Sequence, residues 1–411
     1  MAAVVAASAS DASAQGMPPW TAPGATLPEE LKSVEVIRKD EPLFTAPDIK
    51  SPRRGAAALG ARLPVYGAEP GTGCKTEFFL VGPTAWICGD ATQGSTELPS
   101  AAGFAAAAGD DGLPRSYYFV GADGALGYRD LGQAEQVAPV AELQPGFAVA
   151  LTRIGEGPNG DPFGLTTKQL WLPLRNLGRV KPSVFHGYEA SGKLDRGWVV
   201  AERAEARESP NGKRSKAEAK RRFDAIPVLE VREAGKDRRW VRVSDGEWLD
   251  GRDVRFPRLA EPPAEARPSE RWIDVDLETQ IVTAYEGATP VFATLASTGV
   301  GRESSETATP KGVHRVWAKL ASTDMTNLEN EEALRYYAMQ EVPWVLFFRK
   351  GYGLHGAFWH SSFGRVRSHG CVNLTPLDAR RLFDWAGPHL PAGWTAVLPT
   401  DYDPGTLVRV R

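Results

Sequence analysis

The sequence predicts a mainly β protein, and three observations carry that prediction. Short runs of alternating apolar residues recur along most of the chain, turn residues punctuate them, and a clear helical start appears only near the C-terminus, at Thr375. RRGAAALGARLPVYG, RSYYFVGADGALGYRDL, FAVALTRIGEG and KQLWLPLRNL are typical of the strand-and-turn stretches, so long helices are not expected before the last third.

Taken in order, residues 1–50 read as a tail or the remnant of a leader. The opening MAAVVAASASDASAQGMPPWTAPGA is small, polar and proline-containing, and its AVVAA stretch is too short and lacks the basic start of a secretory signal. Ala12-Ser13-Ala14 has the small residues of a signal-peptidase site, but a disordered tail explains the same composition. Residues 51–180 form one or more β-rich modules. Within them Cys74 and Cys88 flank FFLVGPTAWI, two short strands about a Gly82-Pro83 turn, and they either close a disulfide across that hairpin or remain two reduced core thiols. A bridge of this span would stabilise by about 3 kcal/mol in the loop-entropy account and would suit an oxidising compartment.

Residues 181–256 hold RGWVVAERAEARESPN and IPVLEVREAGKDRRWVRVSDGEWLDGRDVRF, which resemble a bacterial Src-homology-3-like barrel, with Trp198, Trp240 and Trp248 as barrel core or ligand shelf. The first block has a weaker likeness to the same kind of barrel, in LPVYG and AWICGD. The basic run KRSKAEAKRRF is either a solvated loop or a contact for anionic polymers. PRLAEPPAEARPSE, at 257–270, is the linker to a catalytic domain at 271–402.

Composition excludes several classes. With 411 residues, 42% hydrophobic and 24% charged, the chain can build several ordinary globular domains. A net charge of −3 gives no general attraction to nucleic acid, and no apolar run approaches the ~20 residues of a membrane span. No P-loop or dinucleotide fingerprint is present, and the histidine and cysteine spacings match no zinc pattern, so neither metal nor organic cofactor is expected.

The chemistry lies between His355 and Cys371, in HGAFWHSSFGRVRSHGC. A cysteine attacks carbonyls as its thiolate and needs a base close by, and His355 and His369 are the candidates. Gly370 permits close approach of a substrate, and the N–H groups of Gly370 and Cys371 can converge on a developing oxyanion. A helix should follow at once, with Thr375 as cap, Pro376 in the first turn, Asp378 three residues after the cap, and Leu377, Leu382, Phe383 and Trp385 on its buried side.

His355-Gly356 followed by Ser368-His369-Gly370-Cys371-Val372-Asn373 resembles the signature of the bacterial L,D-transpeptidases, the YkuD-type catalytic domain. RWIDVDLETQIVTAYEG looks like that family's opening hairpin, and Thr309-Pro310-Lys311-Gly312 like the turn into a strand lining its cleft. The stretch from Ala321 to Gln340 lacks a family signature; LENEEALRYYAMQ within it reads as a short helix or a flap. The resemblance implies a β-rich catalytic fold with Cys371 as the acylated nucleophile, His355 as its base, and the Gly356 carbonyl orienting the ring. It also implies oxyanion donors at Gly370 and Cys371, an auxiliary role for His369, and substrate contacts at Trp359, Ser368 and Asn373; Ser368 also reads as fixing the loop by hydrogen bonding. His369 can tune the thiolate, donate to the oxyanion or hold the loop; His360 and Trp359 read as cleft walls or local packing.

Peptidoglycan stem peptides are the substrates so implied, handled by an exported, monomeric enzyme of the periplasm or cell envelope, with Cys371 acylated by carbapenems. An L,D-carboxypeptidase, a cysteine peptidase or amidase of the wall, and a non-catalytic wall-binding protein are the alternatives.

Overall fold

Strands of two to twelve residues, joined by tight turns, make up nearly all the regular structure of the computed structural model, which describes residues 27, 30–101, 109–234, 238–302, 305–328 and 336–411. The chain divides into two units, residues 1–104 with 391–396, and residues 105–390 with 397–411.

In the first unit, Ser33–Val36 pairs antiparallel with Arg62–Pro64 and Thr92–Ser95. A second group runs in the order Gly67–Pro70, Glu77–Gly82, Ala85–Cys88, Glu41–Phe44, Arg53–Ala57. The tail expected over residues 1–50 is thus corrected: Ser33–Val36 and Glu41–Phe44 are strands, because Val34, Val36, Leu43 and Phe44 bury their side chains and offset the entropy of ordering. Glu77–Gly82 and Ala85–Cys88 form the hairpin read from FFLVGPTAWI, and Cys74 and Cys88 are disulfide-bonded.

The second unit begins with a module of strands Ser116–Val120, Ala148–Glu156, Pro162–Thr166, Trp171–Pro173 and Leu177–Arg179 around Val120, Val149, Leu151 and Leu172. The next module has two three-stranded sheets, Ala225–Pro227, Arg196–Val199, Val254–Arg255 and Glu230–Glu233, Arg239–Ser244, Glu247–Asp250. Val199, Ile226, Val241, Leu249 and Val254 fill the space they share. Trp240 and Trp248 are buried, under Arg238 and Arg232 respectively. Trp198 faces the other way, packing with Phe185 and with Leu295 and Phe363 of the following domain.

That last domain has two sheets. The first has the order Tyr188–Glu189, Thr289–Leu295, Ile281–Glu286, Arg271–Asp276, Leu407–Val410, Gly312–Arg315. Arg271–Asp276 and Ile281–Glu286 are the hairpin expected from RWIDVDLETQIVTAYEG, in register Trp272 to Tyr285. Two of the six strands lie outside the boundaries read from sequence. Tyr188–Glu189 came from the segment assigned to the preceding barrel, and Leu407–Val410 lies beyond residue 402, yet buried Leu407, Val408 and Val410 pair it in parallel with Arg271–Asp276.

The second sheet joins Ala318–Thr326, Ala338–Arg349, Tyr352–Gly356 and Val372–Leu374. Residues 321–326 and 338–340 are therefore strand, where the sequence suggested a helix or flap; residues 329–335 fall outside the described residues. One α-helix, Pro376–Trp385, follows the cysteine segment as expected, with Thr375 Oγ1 accepting from Asp378 N–H at 3.2 Å. It packs on Ala338–Arg349 and Tyr352–Gly356.

Candidate active site

His355 and Cys371 arrive at one cleft by different routes. His355 is the fourth residue of the Tyr352–Gly356 strand, and Cys371 ends a loop just before the Val372–Leu374 strand. Parallel pairing of these strands sets Leu354 beside Val372 and His355 beside Asn373, which fixes the histidine and cysteine backbones as neighbours. Both side chains line a cleft of about 1300 Å³ together with Trp359, His360, Ser368, His369 and Asn373.

The imidazole of His355 is 1% exposed, and burial pushes its pKa down to about 4, against a smaller upward pull from the Gly356 carbonyl. Its Nδ1 lies 3.5 Å from that carbonyl oxygen. A carbonyl only accepts, so this contact places the proton on Nδ1 and leaves the Nε2 lone pair as the base. Trp359 stacks on the ring at 5.7 Å between centroids. Burial also raises the Cys371 thiol, with a backbone hydrogen bond from Gly353 pulling it down less strongly, and Sγ donates to the Gly351 carbonyl at 3.7 Å. Thiol and imidazole are thus both neutral at neutral pH.

The loop carrying the cysteine is braced from two sides. Ser297 Oγ donates to the Arg365 carbonyl, the Arg367 and Ser368 amides donate to the Thr298 carbonyl, and Val300 N–H donates to Ser368. Thr309, of the expected Thr-Pro-x-Gly turn, donates from Oγ1 to the Gly370 carbonyl at 2.8 Å. Gly370 sits at φ +124°, and a Cβ there would meet the Tyr352 ring at 2.5 Å, so only glycine fits.

Three expectations are revised. Gly370 N–H donates to Ser368 Oγ at 3.0 Å and is not aimed at the cleft as an oxyanion donor; among the described residues, Cys371 N–H is left with no protein acceptor. Of the two readings of Ser368, the loop brace is the one its bonds follow: the hydroxyl donates to the Cys371 carbonyl and so closes the turn around Cys371 rather than facing a substrate. Asn373 is held inward against His360, 2.9 Å from Nε2. Ser362 N–H donates to His360 Nδ1, so that nitrogen is bare, Nε2 carries the proton, and the Asn373 side chain must turn its oxygen toward it. Burial, together with Arg367, pushes His360 down to about 3, which keeps this neutral form. His369 is exposed and stacks on Tyr337 at 5.8 Å. Tyr337, Tyr352 and the Gly351 carbonyl had no signal in the sequence, whereas Thr309 lies in the turn that the sequence pointed to.

The part of the chain that holds this site is similar to a known family. Residues 270–410 match the YkuD family, the L,D-transpeptidase catalytic domain. The match takes in both sheets of the last domain except the Tyr188–Glu189 strand, and it holds every candidate catalytic residue. No curated protein sequence matches. Solved structures that the chain resembles include a cysteine-to-serine mutant of the Enterococcus faecium L,D-transpeptidase, at 23% identity over 35% of this chain and 50% of that one, with a TM-score of 0.26. The E. faecium L,D-transpeptidase catalytic domain is 24% identical over 36% of this chain and 100% of its own, with a TM-score of 0.27. L,D-transpeptidase 3 from Mycobacterium tuberculosis, with a faropenem-derived adduct, is 17% identical over 40% of this chain and 72% of that one, with a TM-score of 0.27. The chain thus spans half the length of the first of these.

Proposed function

We propose that the protein is a peptidoglycan L,D-transpeptidase. The observation that carries this reading is that Cys371 lines one cleft with a buried, neutral His355 whose Nδ1 is turned to the Gly356 carbonyl, inside the matched segment. As the sulfur bonds to the carbonyl carbon of the donor peptide, its proton passes to Nε2 of His355. The oxyanion so formed is met by Cys371 N–H. The C–N bond breaks, the leaving D-residue's amine takes the proton from the imidazolium, and a thioester remains on Cys371. An acceptor amine then attacks the thioester and gives its proton to His355, and the thiol leaves reprotonated.

The enzyme acts on stem peptides outside the cytoplasmic membrane, a placement that the Cys74–Cys88 disulfide supports. The β modules ahead of it, with their paired three-stranded sheets, serve as Src-homology-3-like wall-binding modules, and the 257–270 stretch links them to the catalytic domain.

Intact mass spectrometry of wild type and Cys371→Ala, incubated with muropeptides and separately with a carbapenem, tests the reading. A covalent adduct confined to the wild type, with crosslinked dimers in solution, is expected. Shortened monomers alone would make it an L,D-carboxypeptidase. Neither adduct nor product would remove the enzymatic reading and leave a wall binder.

A further inference from the structure

Part of the catalytic cleft is built by residues outside the matched segment. Phe119, Pro145 and Gly146, from the module of Ser116–Val120 and Ala148–Glu156, line the same cleft as Cys371. Their position is fixed. Ala148 pairs in parallel with Met339, Tyr117 Oη donates to the Glu341 carbonyl at 2.6 Å, and Ala150 N–H donates to Gln340 Oε1 at 3.3 Å. Tyr117 also lies on Phe358 at 4.2 Å between centroids, and Trp344 Nε1 donates to the Gly112 carbonyl at 2.7 Å.

Phe119, Met339 and Trp359 are each partly buried against one core cluster of Tyr117, Ala148, Ala150 and Phe358, and each also lines the cleft. An apolar side chain that is half in a core and half in a cavity offers its remaining face to a ligand, and Trp359 rests directly on His355. Pro145 and Gly146 bring no charged or hydrogen-bonding side chain to the same wall.

We propose that Phe119, with Met339 and Trp359, forms an apolar subsite that takes an uncharged side chain of the peptide acylating Cys371, so that a module outside the catalytic domain sets part of its substrate choice. The proposal rests on the peptide-acylation reading above.

The test uses the full chain and follows labelling of Cys371 by intact mass, with iodoacetamide as the small reagent and an N-acetyl tetrapeptide chloromethyl ketone with an alanine next to the ketone as the peptide reagent. Phe119→Ala is expected to raise the half-saturating concentration of the peptide reagent roughly fivefold while the iodoacetamide rate stays within about twofold, and Phe119→Leu to recover most of the loss. Non-saturable labelling of the wild type, an unchanged half-saturation in Phe119→Ala, or parallel loss with both reagents would overturn the subsite. Crosslinking of muropeptides by the wild type is measured alongside. Its absence, with labelling still dependent on Phe119, would remove the transferase reading and keep the subsite.

Discussion

Burial sets the protonation of His355 and Cys371 before any substrate arrives. With the imidazole pushed down to about 4 and the thiol raised from its ordinary 9.0, a preformed thiolate–imidazolium pair is disfavoured, and the proton must move as the sulfur attacks. Because the depressed histidine works as a neutral base, kcat/KM should fall only as pH drops through about 4, with a flat region across neutral pH. Iodoacetamide alkylation of Cys371 should be slow at neutral pH and climb steadily as the thiol ionises. Fast alkylation already at pH 6 would show a preformed ion pair and overturn this assignment. Residue types alone pointed to Cys371 as the candidate nucleophile and left His355 and His369 both as candidate bases; the family resemblance favoured His355. Ser368 as a brace of the loop was legible too, but the bonds that turn Gly370 N–H and Asn373 away from a substrate were not.

At the scale of elements, the helix Pro376–Trp385 starts where Thr375 and Pro376 said it would, but its first-turn acid does not act as a surface charge. Asp378 is buried, accepts from Gly187 N–H at 2.9 Å and from the Thr294 hydroxyl, and burial pushes it up to about 6. It latches the strap before Tyr188–Glu189 onto the domain. The other end of the helix is held by a buried lysine, Lys319, whose Nζ donates to the Ala386 carbonyl at 2.8 Å and sits 4.4 Å from the Phe383 ring centre. Burial pulls Lys319 down to about 8. The unfolded chain therefore binds more protons than the folded one between about pH 8 and 10.5, and the wild type should gain stability across that window. Urea unfolding of wild type and Lys319→Met should show their stability difference shifting by about 3 kcal/mol in favour of the wild type over that range. A difference independent of pH would mean that Lys319 keeps an ordinary pKa.

For the whole molecule, the second unit is held together by side chains that cross between modules. Arg222, the last cation of the KRSKAEAKRRF run, turns inward and donates to the carbonyls of Val200 at 2.7 Å, Ser361 at 3.0 Å and Phe363 at 3.1 Å. It ties the Arg196–Val199 module to the loop that carries His360. Arg222→Ala would take this donor from the Ser361 and Phe363 carbonyls, while Val200 keeps its bond from Arg365, and should lower stability by about 2 kcal/mol; Arg222→Lys should recover only part, because a single ammonium cannot span the fork. An unchanged urea midpoint in Arg222→Ala would mean that the run is solvated throughout, as its composition alone suggested.

The sequence by itself determined the β class, the Glu77–Gly82 and Arg271–Asp276 hairpins, the helix start and the segment that holds the candidate nucleophile. These depend on neighbours within a few residues, where alternation, turn chemistry and motif spacing act directly. Only the tertiary structure decided where the domains end and what forms the cleft. Ala148 and Met339 lie 191 positions apart along the chain, and Tyr188–Glu189 joins a sheet whose next strand begins near residue 289. Such pairings are chosen by the burial of whole faces, a property of the folded chain that no local pattern encodes.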